Sequence, residues 1–164
     1  MTKDEFYMGK ALAEAKTAYA VGEIPIGAVI VYQKKVIARA YNLRESLPCA
    51  TAHAELLAIE KACRALNRWR LTGCTLYVTV EPCPMCAGAI VNSRLDRAVY
   101  GCDDPKAGAA RSLFHLIDSD SLNHAAVITA GVRAEECAGL LKSFFKERRK
   151  KGTFSPSKDP EDKL

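Results

Sequence analysis

Two short clusters in the sequence combine residue types that can bind a metal ion and move protons. One is His53-Ala54-Glu55, and the other is Pro82-Cys83-Pro84-Met85-Cys86. A His-x-Glu triplet occurs by chance in roughly one chain in five of this length, whereas Pro-Cys-x-x-Cys occurs in roughly one in several hundred. The cysteine cluster is therefore the stronger indication of chemistry.

The proline between the two cysteines predicts how their sulfurs are placed. Pro84 suits the first position of a helix, which puts Cys83 at the N-cap and Cys86 three residues further on. The helix dipole and the unpaired amides at that end lower the pKa of a thiol toward the thiolate form, which zinc binds readily. The pattern predicts that both sulfurs can serve as metal ligands.

Two thiolates leave zinc short of its four preferred ligands, and the sequence contains no second Cys-x-x-Cys pair. If His53 is the third ligand, one position stays open for water, as in catalytic rather than structural zinc sites. Glu55 would then carry protons. Residues two apart on a regular helix point about 200° apart, so His53 and Glu55 can share a site only at an irregular first turn.

The other interpretation of these residues is a structural zinc module that binds nucleic acid, with four protein ligands and no turnover. The lack of a fourth nearby cysteine or histidine disfavours it. The remaining cysteines are expected to be plain core residues, and His115 and His124 to be ordinary surface or loop residues. Those cysteines are Cys49, Cys63, Cys74, Cys102 and Cys137.

The elements that would position the clusters follow from capping signals and hydrophobic periodicity. Thr2 and Glu5 form a capping-box pattern that opens a helix reaching about Ala20. The later segments alternate between strand and helix patterns, which predicts an α/β layer fold. They are a hairpin of Ile26 to Tyr32 and Val36 to Tyr41, a helix with apolar residues from Leu56 to Leu66, a strand from Thr75 to Val80, a helix from Pro84 to Asn92, strands from Leu95 to Tyr100 and from Ala125 to Ala130, and a last helix including Cys137 to Arg148.

Length and composition are typical of a single domain. The 164 residues are 49% hydrophobic, and we expect one domain over residues 1–151 and a disordered tail over residues 152–164. The first twenty residues lack the apolar stretch of a signal peptide or membrane span, so no membrane association is expected and a cytoplasmic location is the default. Seven cysteines without a paired framework agree with a reducing compartment. The net charge of +5 permits nucleic-acid binding without requiring it.

The His-x-Glu and Pro-Cys-x-x-Cys segments together resemble the signature of the cytidine deaminase superfamily. The resemblance implies a three-layer α/β/α fold with a mixed central sheet of about five strands. It also implies a zinc-dependent hydrolytic deaminase with one Zn²⁺ per chain, in which His53, Cys83 and Cys86 are the metal ligands and Glu55 is the catalytic proton carrier.

Within the superfamily, the chain resembles bacterial wobble-adenosine tRNA deaminases from about Glu5 to Arg149. The segments that carry the resemblance are Glu23 to Ala28, Asn42, Asp103 to Ala109, Leu122 to His124 and Phe144 to Arg149. It implies that Asn42 hydrogen-bonds the target base and that the neighbouring subunit of a homodimer helps to shape each tRNA site. The further RNA contacts that it implies are Asp104, Lys106, Asn123, Phe145, Arg148 and Arg149. Arg111 departs from the pattern, where a small residue is expected before Ser112.

Three of these interpretations have open alternatives. Without the resemblance, Asn42 is a turn residue at a strand end. Six of the 24 basic residues lie within the ten positions from Lys142 to Lys151, and such a cluster suits either phosphate contacts or a solvated helix face. The same zinc chemistry would also serve a deaminase of free guanine, cytosine or nucleosides, which the basic last helix disfavours.

Overall fold

Within residues 1–152, which the computed structural model describes, the chain forms four helices and five strands. In chain order they are α1 (Lys3–Ala20), β1 (Gly27–Tyr32), β2 (Lys35–Tyr41), α2 (Ala54–Leu66), β3 (Cys74–Val80), α3 (Pro84–Asn92), β4 (Arg97–Cys102), β5 (Val127–Thr129) and α4 (Ala134–Lys150). The predicted capping box at Thr2 and Glu5 is present at the start of α1. Apart from Gly152, the tail predicted over residues 152–164 lies outside the described residues.

The strands form one mixed sheet in the order β2-β1-β3-β4-β5. Strand β1 is antiparallel to both β2 and β3, whereas β3, β4 and β5 are parallel to one another. The carboxyl ends of β2, β3 and β4 and the amino end of β1 therefore meet at one edge of the sheet. Side chains from distant parts of the sequence are brought together along this edge.

The sheet is covered on both faces, which produces the predicted three layers. Helices α2 and α3 pack on one face through a core that includes Ala58, Ile90 and Leu76. Helices α1 and α4 pack on the other face, where Leu12, Cys137 and Tyr77 are buried together. Leu76 and Tyr77 are adjacent in β3 and belong to different cores, because successive side chains of a strand point to opposite faces.

Two predicted elements differ from those observed. Strand β4 begins at Arg97 rather than Leu95, because Arg94 adopts a left-handed backbone and the N–H of Leu95 bonds back to the carbonyl of Ile90 in α3. Strand β5 has three residues instead of the six from Ala125 to Ala130. It is an edge strand paired only with β4, and its Val127 is 64% exposed. None of the four helices in the described part of the chain is long and apolar enough to cross a membrane.

The most deeply buried face of α2 also differs from the predicted one. Leu56, Cys63 and Leu66 are only partly buried, whereas the fully enclosed positions are mostly alanines. They are Ala54, Ala58 and Ala62, with Ile59 and Glu55 beside them. Small side chains on this face let the helix lie close against the sheet, and Glu55 shares that buried face.

Candidate active site and metal centre

Helices α2 and α3 both begin at the edge of the sheet where the strand ends meet, and each begins at a predicted metal ligand. His53 is the N-cap of α2 and has an extended backbone (φ −75°, ψ 149°). Cys83 is the N-cap of α3 (φ −74°, ψ 173°), and Pro84 takes the first helical position as predicted. Neither His53 nor Cys83 caps its helix with a side-chain hydrogen bond. Both side chains are therefore available for the site.

The three predicted ligand atoms lie within 4.8 Å of one another. The Nδ1 atom of His53 is 3.6 Å from the Sγ atom of Cys83 and 3.5 Å from that of Cys86. In a tetrahedral site with Zn–S near 2.3 Å and Zn–N near 2.0 Å, a nitrogen and a sulfur ligand are about 3.6 Å apart. The donor set and its spacing therefore fit a zinc ion.

The extended backbone at His53 supplies the irregular turn that the His53 and Glu55 pair requires. Because His53 precedes the first helical residue, the 200° rule for a regular helix does not apply to it. Glu55 lies in the first turn of α2 with only 4% of its surface exposed, and its carboxyl group interacts with the thiol of Cys86. The structure thus brings the proposed proton carrier beside the three ligands.

The pKa values of the two thiols shift in opposite directions. A hydrogen bond from Cys86 and a second from His53 outweigh the effect of burial and lower the pKa of Cys83 to about 4. The same hydrogen bond to Cys83, together with burial, raises the pKa of Cys86. Hydrogen bonding to Cys83 also raises the pKa of His53. One thiolate is therefore stabilised in this cluster before any metal binds, which favours cation binding.

Burial raises the pKa of the Glu55 carboxyl group above its ordinary value. A carboxyl group with a raised pKa holds a proton more readily than an exposed one, as a group that must donate as well as accept protons requires. The direction of this shift suits a general acid and base rather than a permanently charged ion-pair partner.

A cavity of about 230 Å³ opens above the cluster. Pockets that enclose drug-sized ligands measure about 300–1,000 Å³, so this cavity suits a group the size of a single base. Its walls combine apolar side chains with a few polar groups. The lining residues are Ile24, Ile26, Asn42, Arg44, His53, Ala54, Glu55, Val80, Glu81, Cys83, Asp104 and Ala107.

Asn42 follows β2 directly and is buried in the wall of this cavity. Its Oδ1 atom accepts a hydrogen bond of 3.2 Å from the backbone N–H of Arg44, which is the turn geometry expected of a strand-end asparagine. Its Nδ2 atom donates to the carbonyl of Ile24 over 3.5 Å, at the limit of a hydrogen bond. The amide group is thus held by local bonds while it faces the cavity.

The residues expected to contact RNA are not brought together to the same degree. Asp104 lines the cavity and accepts hydrogen bonds from the backbone of Lys106 and Ala107, whereas the Lys106 side chain is exposed. Asn123 is exposed and lines a different surface pocket, beside Arg94 at the end of α3. The structure does not place Asn123 at the cavity.

The last turns of α4 hold the other three expected contacts. Arg148 stacks on the ring of Phe144 at 4.9 Å and donates a hydrogen bond to the carbonyl of Gly22. Phe145 packs edge-on against Phe144, and Arg149 is exposed. Because Gly22 lies two residues before Ile24, Arg148 ties the end of α4 to the segment that enters the cavity wall.

Two buried carboxylates beside the cavity were not identified as site residues from the sequence. Glu23 and Glu81 are 1% and 3% exposed. Each accepts hydrogen bonds from a loop, Glu23 from residues 45–46 and Glu81 from residues 104–112. Burial alone would raise the pKa of Glu81, but the hydrogen bonds from Arg111, Ser112 and Asp104 lower it to about 2. For Glu81 the available signal was an acidic residue directly after the buried strand β3, whereas Glu23 lies between α1 and β1 and follows no strand.

Comparison with known proteins agrees with this geometry. A family model of MafB19-like deaminases matches residues 2–149. The tRNA-specific adenosine deaminase of Bacillus subtilis (strain 168) is 54% identical over 151 residues, which are 92% of this chain and 94% of the relative. The chain belongs to the tRNA-specific adenosine deaminase family. The member from Haemophilus influenzae is 46% identical over 147 residues, 89% of this chain and 85% of the relative. The predicted family and enzyme class, a hydrolase, are thereby confirmed.

Solved structures place this deaminase in the same fold. One from a study of A-to-I editing by tRNA:A34 deaminases matches with a TM-score of 0.80 and 44% identity, over 83% of this chain and 99% of the other. A guanine deaminase from Nitrosomonas europaea matches with a TM-score of 0.76 at 22% identity, over 88% of this chain and 85% of the other. The second likeness concerns the fold alone.

Proposed function

We propose that the chain hydrolyses adenosine to inosine at the wobble position of a tRNA anticodon, using one Zn²⁺ held by His53, Cys83 and Cys86. The observation that carries the reaction is the placement of Glu55 beside these three residues at the floor of a base-sized cavity. The names of the relatives, which share up to 54% identity with nearly the whole chain, support the substrate.

Bound zinc would supply a Lewis acid that activates water at neutral pH. Glu55 is the group that moves protons: it carries the first proton of the attacking water to the ring nitrogen and the second to the amino group that departs as ammonia. Its raised pKa suits both directions of transfer. Asn42 holds the polar edge of the base, while the apolar Ile26 and Val80 exclude bulk water from the base faces.

The size of the cavity sets what must happen to the RNA. A cavity of about 230 Å³ suits a single base, so the target nucleotide has to leave its stack, which costs less in a hairpin loop than in a duplex. The rest of the loop would lie outside, against Asp104 and Lys106 on one side and the basic end of α4 on the other. Contacts remote from the reacting atoms then position the base, and their binding energy increases the rate of the reaction.

We also propose that the enzyme acts as a homodimer in the cytoplasm. Leu113, Phe114 and Leu122, all in the connection between β4 and β5, are exposed, and exposed large apolar side chains suit a contact between subunits. The seven cysteines, all within the described part of the chain, are free thiols, which agrees with a reducing compartment. Analytical ultracentrifugation tests the dimer: a monomer at micromolar concentration would contradict it.

The test of the reaction is a comparison of substrates with the zinc-loaded protein. An anticodon stem-loop with a wobble adenosine, its cytidine counterpart, and free adenosine, cytidine, guanine and cytosine are incubated separately, and inosine, uridine and ammonia are measured. The adenosine stem-loop should turn over far faster than every other compound. Asn42→Ala should depress this turnover without releasing zinc, because it removes the polar partner of the base.

Faster turnover of free guanine or cytosine than of the adenosine stem-loop would overturn the tRNA assignment. That result would favour the free-base deaminase that shares this fold. Retention of full activity in Asn42→Ala would instead assign Asn42 to its turn alone.

A further inference from the structure

One wall of the cavity has no regular secondary structure of its own. Between the end of β4 and the start of β5, residues 103–126 form neither helix nor strand. Connections longer than about 12–15 residues without such structure are uncommon in compact domains and need another source of order. The first half of this one contains Asp104 and Ala107, which line the cavity, and Lys106. Its conformation therefore determines the shape of the site.

The carboxylate of Glu81 supplies that order. Its Oε2 atom accepts backbone N–H bonds from Ala110 at 3.2 Å, Arg111 at 2.9 Å and Ser112 at 2.9 Å. Its Oε1 atom accepts the backbone N–H of Asp104 at 3.1 Å and the hydroxyl of Ser112. Five donors thus converge on one buried side chain from both ends of the segment 104–112, which we name the Glu81 loop.

The donor pattern requires a carboxylate. An ionised carboxylate accepts through about four lone-pair sites and carries no hydrogen. Glutamine has the same size, but one of its two terminal atoms is a donor, which would face N–H groups of the loop and leave some of them without acceptors. Each buried donor left in this way costs about 1–3 kcal/mol.

Gly108 lets the loop lie directly on this carboxylate. A Cβ atom at position 108 would overlap the carboxyl carbon of Glu81, so only glycine fits without a shift of the loop or the carboxylate. The neighbouring backbone is bonded as well, since the N–H of Ala109 donates to the carbonyl of Pro82 over 2.8 Å. The Glu81 loop is therefore attached to the segment that leads from β3 into the metal ligand Cys83.

Another part of the cavity wall, which includes Arg44, is attached in the same manner by a different residue. Glu23 accepts bonds from the backbone N–H of Ser46 at 2.6 Å, from the Ser46 hydroxyl at 2.7 Å and from the N–H of Glu45 at 3.4 Å. This holds the segment 43–52, which we name the Glu23 loop, between Asn42 and His53. Each wall thus depends on one buried carboxylate, so the two can be perturbed separately.

We propose that Glu81 is a positioning residue for the RNA substrate: it fixes the Glu81 loop so that Asp104 and Lys106 meet the nucleotides beside the flipped base. This inference rests on the proposed function. Glu81 acts through the loop and not on the reacting atoms. Its loss should therefore weaken productive binding of the stem-loop much more than the chemical step.

The experiment uses the full-length, zinc-loaded protein as wild type, Glu81→Gln, Ser112→Ala, Glu23→Gln and Asp118→Asn. Asp118 is an exposed carboxylate of the same connection and serves as the control. Two quantities are measured for each protein: amide hydrogen exchange in peptides covering residues 43–52 and 104–112, and the KM and kcat for the wobble-adenosine stem-loop. Zinc content is recorded alongside.

In Glu81→Gln, exchange in the Glu81 loop should accelerate and KM should rise, each by about tenfold, because buried hydrogen bonds are broken. Exchange in the Glu23 loop, zinc content and kcat should change much less. Glu23→Gln should give the reverse exchange pattern, and Asp118→Asn should match the wild type. Ser112→Ala removes only the hydroxyl donor and should shift exchange and KM in the same direction by about threefold; it decides the matter if Glu81→Gln does not fold.

Unchanged exchange in the Glu81 loop would overturn the proposal. So would faster exchange with an unaltered KM, or a loss confined to zinc content and kcat, which is the pattern of a purely structural role. If the wild type itself fails to deaminate the stem-loop, the proposed function fails and this inference fails with it. If the wild type is active and Glu81→Gln has a normal KM, this inference fails and the proposed function stands.

Discussion

The metal-ligand cluster and the surface expected to meet RNA differ in how they are built. His53 and Cys83 start helices that pack on the sheet, and Cys86 is fully buried one turn later. Lys106 and Arg149, by contrast, extend into solvent from a loop and from the last turn of α4. The reacting groups are therefore enclosed before substrate arrives, whereas the recognition side chains are open to solvent, although Glu81 anchors the backbone of the loop that carries Lys106. Substitutions in the two regions should differ in kind as well as in size.

The largest effect should come from removing a metal ligand. Cys86→Ser should lose zinc and with it essentially all turnover, because two remaining ligands bind the ion too weakly. Metal analysis of the purified protein and a deamination assay measure the two losses together. Cys63→Ser, a change to a half-buried cysteine outside the cluster, is the matched control and should keep its zinc. Full zinc content in Cys86→Ser would remove this residue from the site.

A change at Glu55 should separate metal binding from catalysis. Glu55→Gln preserves the size of the side chain and deletes the proton carrier, so turnover should fall at least about 100-fold while zinc and RNA binding persist. Single-turnover kinetics with saturating stem-loop measure the loss. Glu60→Gln, at an exposed position on the same helix, should be active. Near-normal turnover in Glu55→Gln would transfer the acid and base role to another group.

Changes on the basic surface should be smaller and sensitive to salt. Replacing the exposed Lys146 and Arg149 with alanine should weaken stem-loop binding and flatten the logarithmic salt dependence by about one unit for each phosphate that is no longer neutralised. Deamination at saturating RNA should change little. Titrations at several salt concentrations test this, with the exposed Lys35 of the β1–β2 hairpin replaced as the control. An unaltered slope would make the cluster a solvated helix face.

Arg148 does not belong in that set, because it has a second role. It stacks on Phe144 and bonds the carbonyl of Gly22, so its removal would also loosen the packing between α4 and the chain entering the cavity. Weaker RNA binding in Arg148→Ala could not be assigned to a phosphate contact. The comparison is sharper when Lys146 and Arg149 are changed alone.

The fold could be predicted from the sequence where short-range signals decide it. Pro84 and the capping box of Thr2 and Glu5 mark helix starts through local chemistry, and both are observed. The extent of β5 could not be predicted, because residues 125–130 are apolar while only Val127–Thr129 find a partner, the parallel β4. Pairing partners are a property of the sheet and not of the segment.

The grouping of His53, Cys83 and Cys86, the proposed metal ligands, could be predicted because Cys83 and Cys86 are close in sequence and zinc needs a third ligand. The anchoring role of Glu81 could not, since its donors lie 23 to 31 residues away along the chain. Asn123 was predicted as an RNA contact from a matching motif. A motif does not tell where its residues lie in the fold, and the structure puts Asn123 beside α3. Contacts that depend on loop conformation remain beyond sequence patterns.

The starts of α2 and α3 have a further consequence for how stability and activity are related. A serine or aspartate at an N-cap stabilises a helix by about 1 kcal/mol relative to a residue that does not cap, and both helices lack such a bond. Both helix ends therefore lack a capping side-chain bond at the positions where the proposed zinc site needs other residues. His53→Ser, measured where the imidazole is neutral, should raise the Tm of the zinc-free protein because serine can cap α2, and it should abolish deamination by the zinc-loaded enzyme. A search for stabilising substitutions would accordingly favour inactive enzymes at this position.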